Sequence, residues 1–374
     1  MKLTAKVQLL TTPEQRGALL KTLERANEAC NYVSEVAWGT QTWRQFSLHK
    51  LVYYDVRERF GLTAQMAIRV ESKVADSYKL DKRSKRTFRP HGAIAYDARI
   101  LKWKLDTFSV SIWTLEGRQE MLYSTGARQL EWLKFQQGES DLVYSGGTFY
   151  LLACCEVPEP TPEDVEGYLG VDMGIAEIAS DSLGTSYSGA QVKRMRRKHR
   201  RLRKSLQKCG SRSAKRKLKK LSGRERRFAR DTNHVVSKAI VKTAECNRLG
   251  IAVEKLTGIR GRVQVKRSQR DDLHSWAFHQ LGEFLRYKSR LAGLPLVEVD
   301  PRNTSRTCIK CGHRDKANRK TQAEFSCQAC GYAANADLNA AQNIAARADI
   351  DRPIVTGVGA NVVHAVSALQ APHL

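Results

Sequence analysis

No stretch of this chain approaches the roughly 18 consecutive apolar residues that a membrane-spanning helix needs. The opening Met-Lys-Leu-Thr-Ala-Lys leads into no signal-peptide core. A membrane partner is therefore not expected, and the protein is expected in the cytoplasm. Acidic residues are also scarce. Only 38 Asp and Glu stand against 64 Lys and Arg, a net charge of +26 over 374 residues with a pI near 9.9. That imbalance is the footprint of a polyanion binder, because each Lys or Arg set against a phosphate releases condensed counterions. Nucleic acid is the expected partner, a merely soluble basic protein the bland alternative. Proline is sparse, and three of the nine fall in Pro158-Glu-Pro160-Thr-Pro162, a stiff acidic linker. There is no disulfide scaffold: four of nine cysteines have metal spacing, and Cys30, Cys154, Cys155, Cys209 and Cys246 read as scattered reduced thiols.

What is present is organised around that linker. Leu3, Ala5, Val7 and Leu9 alternate with polar residues, as in a half-buried strand. Thr12-Pro13-Glu14-Gln15 supplies an N-cap, a first-turn proline and a capping-box glutamine, and helical periodicity continues with breaks to about Lys79. From Phe88 to Val157 the period is two, with hairpin signals at Glu116-Gly117 and Ser145-Gly146-Gly147. One strand, a helical excursion and further strands suggest a β-barrel (residues 1–11 and 80–160) interrupted by a helical insertion (12–79). Beyond the linker, strands are expected at Tyr168 to Asp172, Ile175 to Ser180, Thr185 to Ser188, Leu249 to Val253 and Pro295 to Val299. Helices fill Lys193 to Asn247 and about Leu273 to Leu291. This β-β-β-α-β-α-β order is that of an α/β RNase H-like nuclease core, a mixed sheet with helices on its faces.

Three acids carry the chemistry. Asp172 and Glu254 close apolar runs, where a carboxylate emerges at the sheet edge on a rigid scaffold. Asp337 opens an alanine-rich helix, where exposed backbone N–H groups favour its charge. Taken singly, Asp337 reads as a helix N-cap and Glu254 as a solvated strand end. Together they form an all-oxygen site for Mg2+ or Mn2+, suited to two-metal phosphodiester hydrolysis. Cys308-Ile-Lys-Cys311 and Cys327-Gln-Ala-Cys330 have the spacing of a zinc ribbon, expected over 305–333. Four thiolates leave no open position, so this zinc is structural, and His313 reads as a surface residue.

Between Lys193 and Arg230, 20 of 38 positions are Lys or Arg and one, Glu225, is acidic. Leu202, Leu206, Leu218, Leu221 and Phe228 recur there at roughly helical spacing, so the run reads as a helical hairpin (190–247) along a phosphate backbone. Its candidate nucleic-acid contacts are Arg196, Arg197, Lys198, Arg200, Arg201, Arg203, Lys204, Lys215, Arg216, Lys219 and Lys220. A second basic stretch, Arg260 to Arg270, reads as a loop near the acids.

The chain resembles the TnpB family, insertion-sequence-encoded RNA-guided endonucleases whose relatives include the type V CRISPR effectors. The resemblance spans about Tyr168 to Ala346 and is carried by seven stretches. They are Gly-Val-Asp172-Met-Gly-Ile, Asp231-Thr-Asn-His234, Val253-Glu254-Lys-Leu, Leu273-His-Ser-Trp276-Ala-Phe278, Tyr287-Lys, Val299-Asp300-Pro-Arg302-Asn-Thr304-Ser-Arg306-Thr-Cys308 and Asn335-Ala-Asp337-Leu-Asn339-Ala-Ala-Gln-Asn343. The N-terminal half matches in organisation more than in residues. The resemblance implies that Asp172, Glu254 and Asp337 are the catalytic triad of a RuvC-type nuclease domain (161–304 and 334–374), and that the cysteines bind zinc. It also implies a wedge barrel with a recognition insertion, a transposon-derived guide RNA, a short target-adjacent motif and target duplex DNA in a prokaryotic cell, with a monomer favoured. Two alternatives compete: an unguided RuvC-type nuclease or transposase, and a non-catalytic nucleic-acid-binding zinc-ribbon protein.

Overall fold

The computed structural model describes residues 1–174, 177–255, 278–321 and 323–350. The basic stretch Arg260 to Arg270, the expected helix start at Leu273 and the chain after Ile350 lie outside the described residues. The chain divides into two compact units, Met1–Pro158 and Glu159–Leu374.

In the first unit, β1 (Lys2–Leu10) buries Ala5, Val7 and Leu9 in strict alternation, as its sequence pattern requires. Helix α1 (Pro13–Gly39) starts at the capping box: Thr12 Oγ1 accepts from the Gln15 N–H and Gln15 Oε1 from the Thr12 N–H. Two more helices follow, α2 (Gln45–Phe60) and α3 (Ala64–Leu80). The buried Asn27 amide donates to the carbonyls of Leu23, Pro90 and Gly92, tying α1 to the segment that returns to the sheet.

The remaining strands are β2 (Ile94–Tyr96), β3 (Leu101–Lys104), β4 (Ser109–Thr114), β5 (Gly117–Ser124), β6 (Gln136–Ser145) and β7 (Thr148–Glu156). They pair antiparallel in the order β2-β6-β7-β1-β5-β4-β3. The sheet curls round so that the hydroxyl of Tyr96 on edge strand β2 donates to Trp113 O on β4, next to the opposite edge, and the sheet is a nearly closed barrel. The period-two reading overlooked α4 (Ala127–Leu133), whose Ala-Arg-Gln-Leu-Glu-Trp-Leu is built of helix formers.

In the second unit, β8 (Gly167–Asp172) pairs antiparallel with β9 (Glu177–Asp181), and β9 with β10 (Ser186–Ser188). On its other side β8 runs parallel to β11 (Leu249–Glu254), and β11 parallel to β12 (Leu296–Val299). The sheet is thus mixed, ordered β10-β9-β8-β11-β12. Two helices, α5 (Ala190–Cys209) and α6 (Arg212–Cys246), form the basic hairpin, turning at Gly210 with φ +63°. The C-terminal part of α6 packs with α7 (Phe278–Leu291) on one sheet face, where Val236, Ile240, Ala244, Leu281 and Leu285 meet Leu169, Val171, Ile251 and Val253. The other face is covered by α8 (Ala336–Ile350), through Ile344 and Ala348 against Tyr168, Ala252 and Val299. Between β12 and α8 lies a small cysteine-bearing lobe with the hairpin β13 (Glu324–Ser326) and β14 (Ala333–Asn335). No helix among the described residues is long and apolar enough to cross a membrane.

Candidate active site and metal-binding cysteines

Parallel register brings the first two acids together. Val171 of β8 lies opposite Val253 of β11, so the next residue on each strand, Asp172 and Glu254, leaves the sheet at the same end. The third arrives on the first turn of α8. The cap is Asn335, not Asp337 as the latter read alone would suggest: the Asn335 Oδ1 accepts from the backbone N–H of Asp337 at 2.9 Å and of Leu338 at 3.2 Å. The Asp337 carboxylate is thereby free for other contacts, and its Oδ1 accepts from Arg319 Nη2 at 3.3 Å.

The three acids share one electrostatic environment. Burial, then the charges of Glu254 and Asp337, push Asp172 up to about 7, with Arg319 opposing. Glu254 is also raised by burial, against the Thr304 hydroxyl bond and the charges of Arg347 and Arg319. Asp337 is raised by burial against Arg319. Partly buried carboxylates that disfavour one another's charge, all offering oxygen, fit a hard divalent cation, which would restore the ionised forms. The acids stand wider apart than the thiols of the cysteine lobe: among the described residues, only the four cysteines have metal-ligating atoms all within 4.8 Å of one another.

Those cysteines are two copies of one local design. In each, the glycine N–H four residues on (Gly312, Gly331) donates to the first cysteine's carbonyl, at 2.9 and 3.1 Å. The first cysteine's own N–H donates to the carbonyl five residues on, His313 or Tyr332, at 2.9 and 2.8 Å. The turns require the left-handed backbone of Gly312 (φ +75°) and Gly331 (φ +69°). The Sγ atoms of Cys308 and Cys330 are 3.7 Å apart, and those of Cys311 and Cys327 are 3.5 Å apart. Tetrahedral thiolates at about 2.3 Å from zinc would stand about 3.8 Å apart, close to these spacings. Backbone N–H groups, first that of Cys330, draw the Cys327 thiol down to about 6, toward the ligating thiolate. His313 is exposed and outside the cluster.

The basic hairpin sorts its cations by face. Val192, Arg196 and His199 are the buried residues of α5. Arg203, one turn further, donates to Glu225 of α6 at 2.7 Å, and His199 Nδ1 lies 3.6 Å from the same carboxylate. The lone acid of the run thus sits on the inner face. Arg196 and Arg203, both among the candidate nucleic-acid contacts, lie on this side because they share the helical stripe of Val192. The other nine candidates, Arg197, Lys198, Arg200, Arg201, Lys204, Lys215, Arg216, Lys219 and Lys220, are exposed.

Sequence reasoning missed Arg319 and Thr304. Arg319 lies 18 residues before Asp337, and nothing local marks it as a neighbour of the acids. Thr304 donates to Glu254 Oε1 at 2.5 Å from 50 residues away. Its one trace in the sequence was its place inside a stretch that carries the family resemblance.

A family model described as a probable transposase matches residues 153–260, and one described as a Cas12f1-like TNB domain matches residues 278–344. The CRISPR-associated endodeoxyribonuclease Cas12f1 of Sulfoacidibacillus thermotolerans is 34% identical over 205 residues, covering 50% of this chain and 47% of its own. The putative RNA-guided DNA endonuclease InsQ of Escherichia coli K12 is 30% identical over 226 residues, 54% of each. The chain spans about half the length of these curated relatives. A Cas12f1 solved in complex with single-guide RNA and target DNA shares the fold, with TM-score 0.61 at 16% identity over 90% of this chain and 83% of that one. Across residues 153–344 the chain is thus similar to TnpB-like proteins and Cas12f.

Proposed function

We propose that the protein is an RNA-guided DNA endonuclease whose second unit is a RuvC-type, RNase H-like nuclease with Asp172, Glu254 and Asp337 as its metal-binding catalytic residues. The observation that carries this reading is the convergence of the three acids: two on adjacent parallel strand ends, one on a helix N-terminus, each raised by burial and Asp172 also by its neighbours' charges. Mg2+ or Mn2+ bound there would activate water for attack on a phosphodiester and stabilise the leaving oxygen. The chain's own part is to hold three oxygens rigidly, on two strands and a capped helix. Arg319 sets a positive charge beside Asp337, which would favour an approaching phosphate.

The four cysteines hold structural zinc, and the exposed cations of the basic hairpin grip a sugar–phosphate backbone. A nuclease holding one duplex needs about 6 to 10 phosphate contacts, and the nine exposed cations among the hairpin candidates already fall within that range. With Lys79, Lys82, Arg83, Lys85, Arg86 and Arg89 of the first unit added, the surplus supports a second polyanion, the guide RNA. By the same reading the first unit is a wedge barrel with a recognition insertion.

Protein expressed with its native flanking RNA is expected to retain that RNA through high-salt purification and to cut matching duplex beside a fixed short motif. Asp172→Ala, Glu254→Ala and Asp337→Ala are each expected to lose cutting by at least about a thousandfold, since removing one partner of a catalytic unit disables the whole, while DNA binding persists in gel-shift assays. Equal, sequence-independent cutting by RNA-free protein favours the unguided nuclease. Wild-type cutting by any of the three variants refutes the triad.

A further inference from the structure

The segment between β12 and the cysteine lobe touches the proposed nuclease centre through one side chain. Thr304 is 3% exposed, and its hydroxyl lies 2.5 Å from Glu254 Oε1 and 3.2 Å from Pro301 O. A hydroxyl has one proton to give, and the shorter contact to a carboxylate claims it. One oxygen of Glu254 is thereby fixed and the other left for a ligand. The segment carrying Thr304 is itself held by α8. Asn343 Nδ2 donates to the carbonyls of Thr304 and Thr307 at 2.9 and 2.8 Å. Asn339 Nδ2 donates to Thr307 O at 2.9 Å, and its Oδ1 accepts from the Ile309 N–H at 3.2 Å. Both asparagines are buried, and Ile309 directly follows Cys308. The helix that presents Asp337 therefore also holds the chain that orients Glu254 and leads into the first cysteine knuckle.

We propose that Thr304 is a positioning residue for Glu254, locked by Asn343 and Asn339, so that two of the three acids and the root of the cysteine lobe form one hydrogen-bonded unit. This rests on the reading of Glu254 as a metal ligand. A glutamate side chain has three rotatable bonds, and ordering it costs conformational entropy when nothing holds it in advance. Partners of this kind, one bond removed from a metal, typically carry about ten- to a hundredfold in metal affinity.

The test is Mn2+ titration of the full chain free of nucleic acid, with free ion read by electron paramagnetic resonance, alongside zinc content and melting temperature. Thr304→Val, which keeps the shape and removes the hydroxyl, is expected to bind Mn2+ about ten- to a hundredfold more weakly with zinc retained. Thr304→Ser, which keeps the hydroxyl, is expected to restore binding close to wild type. In cleavage assays Thr304→Val should raise the half-saturating Mn2+ concentration more than it lowers the rate at saturation. Asn343→Ala should shift Mn2+ binding in the same direction by less, and it carries the test if Thr304→Val does not fold. Wild-type Mn2+ binding by folded Thr304→Val, or by Asn343→Ala in its place, overturns the inference while Asp172→Ala still loses the ion. Thr304→Ser as weak as Thr304→Val also overturns it. If Asp172→Ala leaves Mn2+ binding unchanged as well, the three-acid site itself falls and takes this inference with it.

Discussion

Glu71 shows how a single buried carboxylate can set a pH dependence in the unit that does not carry the proposed chemistry. It lies on α3 with its side chain out of solvent, and Oε2 is 2.8 Å from His49 Nδ1. Burial raises its pKa above the ordinary 4.5, and the contact with His49 only partly opposes this. A carboxyl raised on folding favours the native state most when protonated. Its contribution is complete below pH 4.5 and is lost as pH rises through the folded value. Glu71→Gln removes that titration and keeps a polar group beside His49. The variant is expected to match the wild type in urea midpoint below pH 4.5 and to exceed it increasingly above. A constant difference at all pH values would assign the effect to packing instead.

Helix α8 owes its place to one residue of the sheet beneath it. A Cβ on Gly170 of β8 would lie 1.9 Å from the Ala341 carbonyl oxygen and 2.6 Å from the Ala345 nitrogen, both backbone atoms that cannot rotate aside. Only glycine lets this alanine-rich helix approach so closely, and the approach delivers Asp337 to the strand ends. Gly170→Ala is expected to cost about 3 kcal/mol, the upper part of the usual range for overpacking, and to reduce cleavage by displacing Asp337. Gly282 of α7 is the control, since an added Cβ meets nothing within 4 Å. There alanine is expected to stabilise by about 0.5–1 kcal/mol through helix propensity. Denaturant unfolding of the two variants checks both signs.

At the scale of the molecule, the cysteine lobe is the part with the least core of its own. Its buried centre is Cys308, Phe325, Cys327 and Ala336, with Tyr332 against them. So small a cluster cannot offset the ordering entropy of about thirty residues. In the proposed zinc site, metal-binding free energy, roughly 10 kcal/mol or more in such knuckles, would take over as folding free energy. Cys327→Ser is expected to abolish bound zinc by elemental analysis. Amide exchange in α8 should accelerate, because Asn339 and Asn343 lose the segment they hold, while β1 and β7 of the first unit stay protected. Wild-type protein without zinc, or unchanged exchange in α8, would overturn this.

The sequence by itself determined whatever depends on neighbours a few residues away. The capping box of α1 and the alternation of β1 are local backbone chemistry. So are the glycines after each cysteine pair, the hairpin turns, and the apolar runs ending in Asp172 and Glu254. The spacing of these runs was enough to set out the five strands of the second unit in order. Tertiary structure alone decided what depends on residues far apart in the chain. The parallel register of β8 and β11 set Asp172 beside Glu254. Packing of α5 on α6 buried Arg196 and drew Arg203 to Glu225 while nine other candidates stayed exposed. Asn335 took the cap that Asp337 read alone would have provided, and Arg319 and Thr304 reached the acids from positions no local pattern marks. The reason is physical: a helix or turn closes its hydrogen bonds within four or five residues. A buried carboxylate's partners are chosen by which surfaces pack together, and separation along the chain says nothing about that.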